Sequence, residues 1–151
     1  MAIIKVVIID DEQRFLKTTQ TLLEKEGYQV FTANDGQAGL DILKEKVADV
    51  VVLDVKMPGM DGIEVLRRIK SDHPLIEVLM LTGHATMETA IDGLKLGAFD
   101  YLTKPCDIPV LRQKILAAYE KRSAMLEKIQ KAKFDRIISH PMEVFSKEES
   151  L

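Results

Sequence analysis

The sequence predicts an α/β domain built on a doubly wound, five-stranded parallel sheet. Three observations carry that prediction. Five short β-branched runs occur, segments of helical period alternate strictly with them, and several of the runs are apolar at nearly every position. The last feature fits strands covered on both faces, and parallel neighbours need crossover helices between them. The 151 residues, 46% hydrophobic and 30% charged, suit one globular domain with some length left over.

Taken in order, the first strand spans Ile3–Ile9, and in the helical segment after it Phe15, Thr19, Leu22 and Leu23 share a face. Tyr28–Ala33 is the second strand. Asp35-Gly36 then opens a helix that aligns Leu40, Leu43 and Val47. Val50–Leu53 is the third strand, and Asp61-Gly62 starts a helix carrying Ile63, Leu66 and Ile69. Pro74 interrupts the chain before the fourth strand, Val78–Leu81. Met87, Ala90, Ile91 and Leu94 form the next helical face, and Phe99–Leu102 is the weakest strand signal. Asp107 supplies cap chemistry for the last helix, and Pro109 falls in its first turn, where a missing N–H does no harm.

Helix formers then run from Ile108 to about Ile138, farther than one helix needs to cover such a sheet. Ile115, Ala118, Met125, Ile129 and Ala132 recur at steps of three and four, the spacing of a coiled-coil seam, with Arg122 and Arg136 interrupting it. Three readings stay open: the extension dimerises, packs back on its own domain, or serves as a linker. The expected organisation is a domain over residues 1–122 and a helical extension with a frayed tail over 123–151.

The formal net charge of −3 gives no broad electrostatic reason to bind nucleic acid or an anionic membrane, and the basic stretch Lys121–Arg136 reads as a solvated helix face. The single cysteine, Cys106, excludes an intrachain disulfide, suits a reducing compartment and reads as a small filler beside Pro105. His73 and His140 read as surface histidines. The N-terminal apolar run is short and ends in acidic residues, unlike a signal peptide, and no run approaches the roughly 20 apolar residues of a membrane span. The expectation is a soluble, cytoplasmic chain.

In parallel α/β sheets, ligands bind outside the carboxyl ends of the strands. The first strand ends in Asp10, Asp11 and Glu12, the third in Asp54, the fourth in Thr82-Gly83 and the fifth in Thr103-Lys104-Pro105. With strand order 2-1-3-4-5, Asp10, Asp11 and Asp54 converge on one pocket. Three such carboxylates repel and require a cation; an all-oxygen set suits Mg²⁺. Lys104 adds a fixed cation, Thr82 a hydroxyl, and Gly83 room for close backbone approach. Phosphoryl transfer asks mainly for positioning and charge neutralisation, and a carboxylate can be its covalent acceptor. Asp54, at the end of the central strand, is the best placed.

Four fragments, Ile9-Asp10-Asp11, Leu53-Asp54 through Asp61-Gly62, Leu81-Thr82-Gly83-His84-Ala85 and Tyr101-Leu102-Thr103-Lys104-Pro105, resemble two-component response-regulator receiver domains over residues 3 to about 120. The segment Thr82–Ala90 is similar to receivers that precede ATPase-type transcription activators, whose last helix often continues as a dimerising linker. The resemblance implies the flavodoxin-like receiver fold, with Asp54 phosphorylated by a sensor histidine kinase or a small phosphodonor. Asp11, Asp54 and the Lys56 carbonyl would bind Mg²⁺, with Asp10 helping through water. Lys104 and Thr82 would hold the phosphoryl group, and Tyr101 would move inward as Thr82 swings. It implies a cis Lys104–Pro105 peptide and a changing surface on the fourth helix, fifth strand and fifth helix. Lys56 and His84 would tune the phosphoryl lifetime. A homodimer through that surface or through the long helix is the candidate assembly, and the downstream partner is a protein. The rival readings are a phosphorelay intermediate, a phosphohydrolase of the haloacid-dehalogenase type, and a binding module without phosphorylation. The second usually carries a further Asp where this chain has Lys56.

Overall fold

The computed structural model describes residues 2–57, 59–83 and 87–139. Five strands, β1 (Lys5–Ile9), β2 (Gln29–Ala33), β3 (Val50–Asp54), β4 (Glu77–Thr82) and β5 (Asp100–Thr103), alternate with α1 (Gln13–Lys25), α2 (Gly36–Glu45), α3 (Gly62–Asp72), α4 (Met87–Lys95) and α5 (Ile108–Ser139). All pairings are parallel and the order is β2-β1-β3-β4-β5. The chain thus leaves β1 in one direction for β2 and in the other for β3, which opens a crevice above their carboxyl ends.

The continuous apolar runs feed two cores. Val7, Ile9, Val51, Leu53 and Met80 point to the side covered by α2 and α3, where Leu40, Leu66 and Ile69 meet them. Their alternating neighbours Val6, Ile8, Val52, Leu79 and Leu81 meet Leu16 and Leu23 of α1 and Leu111, Ile115 and Ala118 of α5. Period-2 alternation therefore places both sets of side chains in a core, as double coverage requires. Asp35 and Asp61 cap α2 and α3, their Oδ1 atoms accepting from Ala38 N at 2.8 Å and Ile63 N at 3.1 Å.

Several helix faces differ from the sequence reading. In α1 the buried positions are Leu16, Thr19 and Leu23, while Leu22 is exposed and Phe15 only partly covered. The face is turned by about one residue, because Leu16 and Leu23 subtend the sheet more directly. Val47 is 64% exposed, since α2 ends at Glu45 and the chain leaves the helical period there. Val65 takes a buried place in α3 alongside Leu66 and Ile69. On α4, Ala90 is buried but Ile91 and Leu94 are exposed. A Cβ on Gly93 would fall 2.2 Å from Met80 Sδ, so the small residues bring this short helix onto the sheet and turn the larger ones outward.

The long helix is present over its expected span, but the start of its apparent coiled-coil seam is used internally. Ile115 and Ala118 are fully buried in the domain's own core. Arg122 does not break a dimer seam: its Nε donates to Asp49 Oδ1 at 3.1 Å and ties α5 to the start of β3. Lys121 lies 3.5 Å from the buried Glu77 carboxylate at the start of β4. Two further cations of α5 pair outward, Arg112 with Glu26 just after α1 and Lys114 with Asp100 of β5. Beyond these anchors Met125 is exposed, as is every residue from Lys131 to Ser139.

Candidate functional site

Asp10, Asp11, Asp54, Thr82, Gly83 and Lys104 stand at the carboxyl edge of the sheet, whereas Tyr101 lies within β5. Asp10 follows β1 and is fully buried; Asp54 ends β3 and is 5% exposed; Asp11 faces solvent. One carboxylate oxygen from each of the three lies within 4.8 Å of the others. The loops that follow fold back on these groups: Glu12 N donates to Asp10 Oδ1 at 2.9 Å, and Lys56 N donates to Asp54 Oδ1 at 3.1 Å. Val55 N donates to Leu81 O at 3.0 Å, which extends the β3–β4 ladder just past Asp54.

Lys104 brings the counter-charge. Its Nζ is 2.5 Å from Asp10 Oδ2 and 3.5 Å from both Asp54 Oδ2 and Glu12 Oε1. Its backbone N–H donates to Thr82 O at 2.8 Å, so the lysine is carried on the β4–β5 edge, and its peptide with Pro105 is cis. Burial alone would lower the Lys104 pKa, but the neighbouring Asp10, Asp54 and Glu12 carboxylates more than reverse this and push it up. For Asp54 burial dominates and raises the pKa, the Asp10 charge adds to it, and Lys104 with the Lys56 N–H pulls the other way.

The donor set fits a hard divalent cation. It is all oxygen, partly buried and over-supplied with negative charge, with three carboxylates gathered around the one Lys104 ammonium that pairs with Asp10 Oδ2. The Lys56 carbonyl sits on the loop directly after Asp54.

Other predicted residues are placed less directly. The buried Thr82 hydroxyl donates to Leu102 O at 3.4 Å, aimed at β5. Tyr101 is partly buried against the α2–α3 side of the core. Lys56 is exposed. Gly83 is exposed, and a Cβ there would meet no protein atom within 4 Å. His84 and Ala85 lie outside the described residues.

Three contributors were not singled out from the sequence. Gly62 opens α3 with its N–H donating to Val55 O at 3.2 Å, and a Cβ there would fall 2.6 Å from the Val55 backbone. Only glycine lets α3 begin so close beneath Asp54; the Asp61-Gly62 pair signalled a turn but not this approach. Glu12 joins the Lys104 cluster, and the Phe15 ring lies under the Lys104 ammonium. Glu12 was legible as a strand-end acid, but its pairing, like the Phe15 contact, depends on where Lys104 lands.

The response regulator receiver domain family matches residues 6–116. The transcriptional regulatory protein ZraR of Escherichia coli (strain K12) is 42% identical over 109 residues, covering 72% of this chain and 25% of that protein. ZraR of Salmonella typhimurium is 39% identical over 141 residues, 91% of this chain and 32% of that one, a span that reaches into α5 beyond Arg122. The chain thus spans between a quarter and a third of the length of these relatives. Among solved structures, a response regulator receiver domain from Clostridium thermocellum superposes with a TM-score of 0.78 at 38% identity, covering 82% of this chain and 99% of the other.

Proposed function

The chain belongs to the response regulator receiver family, and on that premise we propose that it is a signalling switch whose phosphoacceptor is Asp54. The observation that carries the reading is the near-buried Asp54 carboxylate, set between the Asp10–Asp11 pair and the Lys104 ammonium at the β1–β3 crevice. Asp10, Asp11, Asp54 and the Lys56 carbonyl would hold Mg²⁺. When bound, the ion would offset the carboxylate repulsion and the charge on the incoming phosphoryl oxygens.

The chain's own groups do the rest. An Asp54 carboxylate oxygen attacks phosphorus in line; the bond from phosphorus to the donor's imidazole nitrogen or acetate oxygen breaks, and the donor leaves with that electron pair. Lys104 pairs with a phosphoryl oxygen. The Thr82 hydroxyl exchanges the Leu102 carbonyl for a phosphoryl oxygen, which frees space near β5 for Tyr101. The readable consequence lies on α4, β5 and α5, where Ile91 and Leu94 are already exposed. Lys56 and His84 set how readily water reaches the acyl phosphate. The phosphoryl donor is a sensor histidine kinase, and the reader is a second protein or a second copy that meets the α4–β5–α5 face or the projecting part of α5. A phosphohydrolase is not favoured: the second residue after Asp54 is the exposed Lys56, with no acid to protonate a leaving group.

Intact-mass measurement after incubation with acetyl phosphate and Mg²⁺ tests the assignment. Wild type is expected to gain one phosphoryl mass and Asp54→Asn none; an equal gain in both would refute it.

A further inference from the structure

The Lys104 ammonium also faces an uncharged aromatic ring. Its Nζ lies 4.8 Å from the centroid of the Phe15 ring, inside the range over which a ring quadrupole attracts a cation. Phe15 stands in the first turn of α1, directly after the metal-loop carboxylates, and is braced by the same core cluster that takes up Cys106 and Ile108. The Lys104 side chain is only 14% exposed, so the contact is mostly shielded from water.

We propose that Phe15 is a positioning residue for phosphoryl transfer: its ring face holds the Lys104 ammonium at the mouth of the pocket, aimed at the incoming phosphoryl group. The inference rests on the reading of Asp54 as acceptor and Lys104 as the phosphoryl-binding cation. Three carboxylates pull the same ammonium, at 2.5, 3.5 and 3.5 Å. Two of them, Asp10 and Asp54, belong to the set that fits a divalent cation, and a carboxylate whose charge is shared attracts an ammonium less. The third, Glu12, is 65% exposed, where solvent and salt screen it. The ring has no charge to share and is fixed by packing. It keeps its hold on the ammonium when the carboxylates loosen theirs. A leucine would fill much of the same space but lacks the quadrupole, so the sequence choice at this position is chemical as well as steric.

The experiment compares wild type, Phe15→Leu, Phe15→Tyr and chains carrying mono-, di- and trifluorinated phenylalanine at position 15. Fluorination drains the ring face of negative charge while changing its size little. Three readouts are taken: the initial rate of Asp54 phosphorylation by acetyl phosphate, urea unfolding, and the proton shift of the Lys104 ε-methylene in metal-free protein. Phe15→Leu should slow phosphorylation roughly three- to fivefold, with Phe15→Tyr recovering most of the loss. The fluorinated series should slow in graded steps while unfolding stays constant, and the ring-shielded ε-methylene signal should move downfield in Phe15→Leu. A rate that is flat across the fluorinated series, or that follows stability instead of ring charge, overturns the proposal, as does an unshielded ε-methylene in wild type. Failure of wild type to take up a phosphoryl group at Asp54 overturns both this proposal and the reading beneath it; a labelled wild type with a flat series overturns this one alone.

Discussion

Asp54 shows how a residue gains its chemistry from its neighbours. Burial and the Asp10 charge raise its pKa in the fold, so the native state binds its proton more readily than the unfolded chain does. The sign follows: stability from this group is complete below the unfolded carboxylate pKa, about 3.9, and is lost as pH rises through the higher folded value. In EDTA, Asp54→Asn should therefore melt above wild type at neutral pH, and the gap should close as pH falls below about 4. Thermal melts across that range check it; a wild type that is the more stable at pH 7 would contradict the assignment. The acidic residues and Lys104 were legible in the sequence because each lies within two residues of the end of an apolar run. Phe15 was legible only as a helix-face residue, since its cation arrives from nearly ninety positions later in the chain.

At the scale of the element, α5 explains most of what the sequence left open. Its first part covers the sheet, and consecutive cations Lys121 and Arg122 then reach carboxylates at the starts of β4 and β3. Asp49 also accepts from Lys5 N at 2.9 Å, so one carboxylate joins β1, β3 and the helix. Asp49→Ala should cost about 1–3 kcal/mol, since it leaves a part-buried N–H and a part-buried guanidinium without their acceptor. The exposed Lys131→Ala should change stability by less than about 0.5 kcal/mol. Urea unfolding measures both, and amide exchange should show α5 protection falling in a step after Arg122. The three-and-four periodicity from Ile115 to Ala132 was real, but it ran through two environments. Periodicity reports that a face is apolar and says nothing of whether the cover is the chain's own sheet or another molecule.

For the whole molecule, the division at residue 122 is a proposal with a direct test. A chain ending two residues later retains every anchor of α5 described above and should melt within a few degrees of the full chain. It should also take up phosphoryl at the same rate. If the projecting helix joins two copies, light scattering with a phosphoryl mimic should show a mass increase for the full chain that the shortened one lacks. No helix among the described residues is long and apolar enough to cross a membrane, so the projecting segment is not read as a span.

The sequence by itself determined the alternation of strands and helices, the double coverage of the sheet and the placement of Asp10, Asp11, Asp54, Thr82 and Lys104 at strand ends. Those are consequences of local pattern: continuous β-branched runs, helical period and the residue that follows each run. The tertiary structure alone decided which carboxylate holds the ammonium most closely, why Gly62 must lack a side chain, what Arg122 pairs with and which face of α4 stays open. Each of those depends on atoms distant in the chain coming within a few ångströms, and such distances exist only once the sheet order has brought the strand ends together.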